Sequence, residues 1–230
     1  MCIRDRFEEG PWDNTFNNKS LFLAAGKKVF GWFDFENNLN SGNYSFDMNT
    51  SSIGSINFSS LRGVAYNGEF FALGETDNKN IYIWKGIPGL NDEPDYIIQN
   101  PVGVGRIDMN DEWLVVSAYP GAGSPVHVIN LTNLDSGIML PVPGNDDFPQ
   151  GVSINEKGFF IALQGSNKVV GWSSVQDALN GSSPTMSFGG TTNKTNSGTK
   201  MASTVHWDGF HLWVGEFKFS NRLLGFAPSK

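Results

Sequence analysis

The stretch SNKVVGW, residues 166–172, returns as GKKVFGW at 26–32, NKNIYIW at 78–84 and SNRLLGF at 220–226. Each copy sets Asn, Lys or Arg ahead of a short apolar run that closes on an aromatic side chain. A run of that length, bounded by turn residues, reads as a strand buried on both faces. The closing residues Trp32, Trp84, Trp172 and Phe226 stand 52, 88 and 54 residues apart, so the middle interval is a doubled period. Within it PVHVI, 125–129, ends at Ile129 and divides 88 into 45 and 43. The chain therefore carries five repeats.

A second marker agrees. RGVAYNGEFFALGE (62–75), GRIDMNDEWLVVS (105–117), QGVSINEKGFFIALQG (150–165) and STVHWDGFHLWVGE (203–216) each open a repeat. From Val64, Ile107, Val152 and Val205 to the phrase endings the distances are 20, 22, 20 and 21 residues. Each unit reads strand, turn, strand, turn, strand. A polar connector follows, and a fourth apolar run in YIIQ (96–99), IMLPV (138–142) and TMSF (185–188). The first turns carry Asn-Gly, Asn-Asp, Asn-Glu-Lys-Gly and Asp-Gly, expected to supply the positive φ angles of tight hairpins. In the first repeat SLFLAAG, KKVFGWF and YSFDM (44–48) serve as strands, and the opening strand falls somewhere around 12–16.

Four short antiparallel strands per period, with 27 glycines, 13% aromatic and only 17% charged residues, predict an all-β chain. A single four-stranded sheet cannot bury both faces, whereas sheets stacked around an axis can. The fold expected is a β-propeller of about five visible four-stranded blades. The repeats lie at approximately 12–48, 62–99, 105–142, 150–188 and 203–230, in one domain over 7–230. Residues 1–6, MCIRDR, resemble the translated sequencing-adapter read-through at the ends of environmental gene assemblies and are set apart as a non-native segment. With Cys2 removed, the chain has no cysteine and so no disulfide, thiol nucleophile or thiolate metal site. The last repeat stops after its third strand. The native object is accordingly expected to be a six-bladed propeller, N-terminally truncated here, with a closing strand and any leader upstream.

The order of Gly-Val, hairpin, apolar strand, polar loop with Asn before Lys or Arg, and apolar strand ending in an aromatic resembles the NHL-type repeat. ETDNKNIYIWKGIPGLNDEPDYIIQ (75–99) and GEFKFSNRLLGF (215–226) carry the resemblance, which covers 12–230 and departs most in 106–142. It implies a propeller whose first strands line a central channel. Residues flanking those strands, Arg62, Arg106, Gln150, Ser203 and His206, are then the candidate ligand contacts. Two arginines facing one channel suit a carboxylate or sulfate, or else pair with acids such as Asp108 or Glu69.

The formal charge of -7 and the absence of Lys and Arg clusters argue against a nucleic-acid partner. No apolar run reaches the length of a membrane span. His206 and His211 flank Asp208, while His127 belongs to another repeat, so three histidines do not converge as catalytic zinc would require. Similar propeller lyases of the peptide-amidating type hold zinc by histidines from several blades. Propeller lactonases hold a divalent cation by Glu, Asn and Asp, and Asn155 and Asp108 are the residues here that calcium would recruit. No phosphate loop, nucleophile elbow or paired-carboxylate motif is present. The acidic runs NDEPD (91–95) and GNDDF (144–148) read as turn chemistry, and the phrase-ending aromatics as packing between blades.

The leading expectation is a non-catalytic module that binds a protein, peptide or carbohydrate, with no cofactor and no catalytic residue. The alternative is a propeller hydrolase or lyase with a divalent cation, calcium among the candidates, in the channel. Sequons at Asn18, Asn43, Asn49, Asn57, Asn130, Asn180 and Asn193, with the lack of cysteine, suit an extracytoplasmic protein, secreted or at the cell surface. The loop GGTTNKTNSGTK (189–200) reads as a surface excursion.

Overall fold

The computed structural model describes residues 10–17, 19–41, 45–119, 123, 125–134, 137–143, 148–190, 199–208, 210–217 and 222–227. MCIRDR, the sequons at Asn18, Asn43 and Asn193, residues 144–147 of the second acidic run, the centre of the 189–200 loop and Asn221 lie outside the described residues. The chain divides into two compact units, Met1–Asp108 and Met109–Lys230.

In the first unit β1 (Asp13–Asn17), β2 (Ser20–Ala25) and β3 (Lys28–Trp32) lead through the short helix α1 (Phe35–Ser41) to β4 (Met48–Thr50). A two-residue hairpin, β5 (Ser52–Ile53) and β6 (Ile56–Asn57), follows. Then come β7 (Leu61–Tyr66), β8 (Phe70–Glu75), β9 (Asn80–Lys85) and β10 (Tyr96–Gln99). β11 (Val104–Met109) contains the division between the units. The second unit continues with β12 (Trp113–Ala118), β13 (Val126–Asn130), β14 (Ile138–Leu140), β15 (Pro149–Asn155), β16 (Gly158–Leu163) and β17 (Lys168–Trp172). The helix α2 (Val175–Leu179), β18 (Met186–Gly189), β19 (Ala202–Trp207), β20 (Leu212–Glu216) and β21 (Leu223–Phe226) complete it.

Four sheets are four-stranded, with strands adjacent in chain order, and the fifth, β19-β20-β21, has three among the described residues. This all-β succession of antiparallel meanders is a β-propeller. The quoted phrases are the third strands β3, β9, β17 and β21, and PVHVI is the third strand β13.

Burial on both faces is explicit in SNKVVGW. Val169 is fully buried among Phe160, Ala202, Val205, Leu212 and Val214, on the side of the fifth sheet. Its neighbour Val170 is buried with Trp172 among Val115, Val126, Val128 and Leu140, on the side of the third. In the first unit Phe22, Ala24 and Val29 share a cluster with Val64, Phe71, Leu73 and Trp84, so the first and second sheets meet in the same way. Both tryptophans also reach forward: Trp84 Nε1 donates to Asp92 O at 3.1 Å and Trp172 Nε1 to Ser182 O at 2.8 Å. Their indoles thereby fix the connectors as well as filling the space between sheets.

The glycine that precedes the aromatic in three phrases has a packing cause. In register, Gly31 faces Phe22, Gly171 faces Phe160 and Gly225 faces Trp213. A Cβ added at Gly171 would stand 2.7 Å from Phe160 Cδ1, and one at Gly31 would stand 2.7 Å from Phe22 Cδ1. Where the phrase writes Ile83 instead, the facing residue is Ala72, and in the third sheet Val128 faces Val115. Each pair divides a similar volume differently.

Three expectations need correction. YSFDM is not a strand at Ser45–Phe46: β4 begins at Met48, because Phe46 turns inward onto Trp32 and Phe30, with ring centroids 4.6 and 4.9 Å away. The connectors contain two helices and a hairpin that periodicity over so few residues did not signal. The hairpins between first and second strands close mainly by side-chain acceptance. Asn67 Oδ1 accepts from Glu69 N and Phe70 N, Asn110 Oδ1 from Glu112 N and Trp113 N, Asn155 Oδ1 from Lys157 N, and Asp208 Oδ1 from Phe210 N and His211 N. Among the described residues of these turns positive φ occurs at Gly68, Gly209 of the last turn lying outside them, and one hairpin later it occurs at Lys79 and Asn167. Both of those stand five residues before their tryptophan.

The run NDEPD acts as turn chemistry. Asp92 Oδ2 accepts from Gly89 N, Glu93 Oε1 from Ser55 N and Asp95 Oδ2 from Lys85 N. Among the described residues, no helix is long and apolar enough to cross a membrane.

Candidate functional site

First strands in three sheets share a local irregularity. The pairing register shifts between Leu61 and Gly63, between Pro149 and Gly151, and between Ala202 and Thr204. The extra residues are Arg62, Gln150 and Ser203, three of the five candidate contacts. A bulge re-aims its side chain and bends the strand, which explains why these positions carry polar residues beside buried neighbours. The bend also brings strands close: a Cβ at Gly151 would stand 2.7 Å from Ser203 O and 2.9 Å from Thr204 Cα.

In the first unit, Arg106 interacts electrostatically with Arg62 and with a residue the sequence did not flag, Asp13. Asp13 Oδ2 accepts from Val64 N at 3.2 Å and Ile107 N at 3.1 Å, two equivalent positions on β7 and β11. One carboxylate on β1 thus ties two other first strands. Burial pushes the Asp13 carboxyl up to about 7, opposed by the Arg106 charge and the two backbone N–H groups and assisted by Asp108. Burial also lowers Arg106, which Asp13 supports and Arg62 disfavours. The Arg62 guanidinium lies 3.8 Å above the Trp12 ring. Asp13 was hidden because its role depends on the register of β1, Asp13 facing Ala24, in a strand with no apolar alternation.

The second unit holds Gln150, Ser203 and His206. Gln150 O accepts from Ser117 Oγ at 3.1 Å. Ser203 is buried; its Oγ donates to Met201 O at 2.9 Å and accepts from Gln164 Nε2 at 2.7 Å. That hydroxyl holds strand ends in place. His206 is exposed on β19, facing Trp213 across the pair. Asp208 Oδ2 accepts from Trp213 Nε1 at 2.7 Å, and this bond with those from His211 N and Phe210 N holds its carboxyl down to about 2. His127 is buried on β13, and burial lowers its pKa. Asn155 Oδ1, a candidate calcium ligand, is taken by Lys157 N at 2.7 Å. Among the described residues no group of three or more His, Cys, Asp or Glu side chains converges to hold a metal.

The second unit also contains a cavity of about 510 Å³, lined by Met109, Asn110, Asp111, Glu112, Ile154, Asn155, Glu156, Lys157 and Trp207. It is built from equivalent places in successive repeats. Met109 and Trp207 are the last residues of β11 and β19 and Ile154 the last but one of β15, and the polar residues belong to the hairpins that end β11 and β15. Asn110 and Asn155 fold those turns back on themselves and so present Asp111, Glu112 and Glu156. Lys157 Nζ lies 3.8 Å from Glu156 Oε1 with both side chains largely exposed, a pair of little energetic consequence. Trp207 stacks on Phe160, with centroids 6.1 Å apart and planes at 15°. Its Nε1 is enclosed without a hydrogen-bond partner, which costs about 1–3 kcal/mol. The sequence showed each turn, but not that the turns share a cavity.

The fold is shared with solved structures. The β-propeller domain of Myceliophteria thermophila Cps50 (Swd1) matches 90% of this chain with a TM-score of 0.60 and 12% identity. The WD40 β-propeller domain of Doa1 matches 94% at 0.62 and 13%, and the computationally designed Ika8 protein 94% at 0.58 and 10%. This chain spans 62%, 63% and 57% of their respective lengths. At such identities the likeness is one of fold. No protein-family description matches the chain, and no curated protein matches it.

Proposed function

We propose that this protein is a non-catalytic β-propeller binding module whose ligand, a protein, peptide or carbohydrate, is taken up at the hairpin turns of the second unit. The observation that carries this reading is the cavity of about 510 Å³, within the range of about 300–1,000 Å³ common for ligand sites. Its lining sets three apolar side chains, Met109, Ile154 and Trp207, beside six polar or charged ones that can specify a ligand. Propellers named WD40 are among the solved structures of this fold, and a binding role is consistent with them as fold analogy.

Arg106 serves Asp13 in this reading, countering the carboxylate of the same chain instead of an external anion, and Arg62 covers Trp12. His206, exposed next to Trp207, is the candidate contact that stands nearest the cavity in sequence. We assign the repeat to the NHL type on its Asn-basic turn and aromatic ending, and the protein to an extracytoplasmic setting. Exposed sequon asparagines Asn49, Asn57 and Asn180 support that setting.

Probing peptide and glycan arrays with wild-type protein and with the Asp111→Ala/Glu156→Ala variant tests the function. Binding should fall at least tenfold in the variant with the melting temperature unchanged. Equal binding by both proteins, or no binding on either array, defeats the reading.

A further inference from the structure

Resting on that reading, we infer that the cavity takes a cationic side chain, the Lys or Arg of an extended basic peptide segment. Three carboxylates, of Asp111, Glu112 and Glu156, stand against one ammonium, of Lys157, in the lining. The Lys157 ammonium is held no closer than 3.8 Å to its acid neighbour and is two-thirds exposed, so it neutralises little of that charge. Below the carboxylates lie Met109, Ile154 and the Trp207 ring, an apolar floor contributed by three first strands. An alkyl stem on such a floor with its charged head among carboxylates is how Lys and Arg distribute themselves at amphipathic surfaces. The indole face adds attraction for a cation that a carboxylate ligand would forgo.

One further observation favours a peptide over a small cation. The cavity exceeds what one side chain fills, leaving room for the flanking backbone. The chain's formal charge of -7 has the sign that draws a basic partner in.

The probes are trilysine, triarginine, triglutamate and triserine peptides, blocked at both ends and added to the ¹⁵N-labelled full chain. The indole N–H resonance of Trp207, assigned by Trp207→Phe, reports on the cavity. Trilysine and triarginine should move it saturably, with apparent affinity falling at least tenfold in Asp111→Asn/Glu156→Gln and falling with added salt. Glu36→Gln, on α1 of the other unit, should bind as the wild type does. If triserine or triglutamate moves the resonance and the cationic peptides do not, the cavity binds but the charge assignment is wrong. Affinity for the cationic peptides unaltered in Asp111→Asn/Glu156→Gln also overturns it. If none of the peptides moves the resonance and the arrays are silent as well, the binding reading fails with it.

Discussion

The Asp13 carboxylate accepts from two strands, yet burial pushes it up to about 7. With an ordinary value of 3.8 in the unfolded chain, the folded protein holds the proton more tightly. The resulting stability is fully present below about pH 4 and is lost as pH rises through 7, at up to about 1.4 kcal/mol per pH unit. Asp13→Asn keeps an oxygen for Val64 N and Ile107 N but cannot ionise. Measured by urea unfolding from pH 4 to 8, Asp13→Asn should gain on the wild type between pH 4 and 7 and hold that gain above 7. A flat difference between the two profiles would mean that the carboxylate is fully accommodated. Asp13→Ala should instead destabilise at every pH, because two buried N–H groups lose their acceptor at about 1–3 kcal/mol each.

Cross-strand pairing gives the element its identity, and the pair Gly171 with Phe160 tests it. Ile at 171 alone overfills the site, at about 1–3 kcal/mol, and Ala at 160 alone empties it, at about 3–5 kcal/mol. The double variant Gly171→Ile/Phe160→Ala reproduces the pair Ile83 with Ala72 found in the second sheet. Thermal or denaturant unfolding should therefore show a loss smaller than the sum of the singles by at least about 1 kcal/mol. Additive losses would show that Phe160 matters through Trp207 and not through Gly171. The same pair shows what was readable beforehand. The strands announced themselves because both faces are buried, so every residue of VVGW had to be apolar or absent. Arg62, Gln150 and Ser203 were readable as flanks of first strands, but their bulges depend on pairing between residues more than ten positions apart. β4 was misplaced because an aromatic that packs from a connector, Phe46, looks the same in sequence as one that packs from a strand. The cavity was not readable at all, since Asp111, Glu156 and Trp207 belong to different repeats and meet only after each has folded.

At the scale of the molecule, stability in a repeat fold is close to a sum over sheets and the apolar clusters between neighbours. Those clusters supply it here: Val169 and Val170 are buried on opposite sides of one sheet, and Phe71, Leu73 and Trp84 pack against the sheet before theirs. On the binding-module reading proposed here, these clusters carry the stability without a bound ion. A channel cation, as the hydrolase or lyase alternative demands, would add about 2.7 kcal/mol at a concentration one hundred times its Kd. At about 2–4 °C per kcal/mol for a chain of this size, its removal would lower Tm by at least about 5 °C. Dialysis against EDTA is expected to leave Tm unchanged, and elemental analysis of the purified protein to find no stoichiometric calcium or zinc. Retention of either metal, with a Tm that falls on chelation and returns on its addition, would move the assignment from binding module to cation-dependent enzyme. In that case Asp108 and the inner-strand arginines, not the hairpin turns, would become the first residues to substitute.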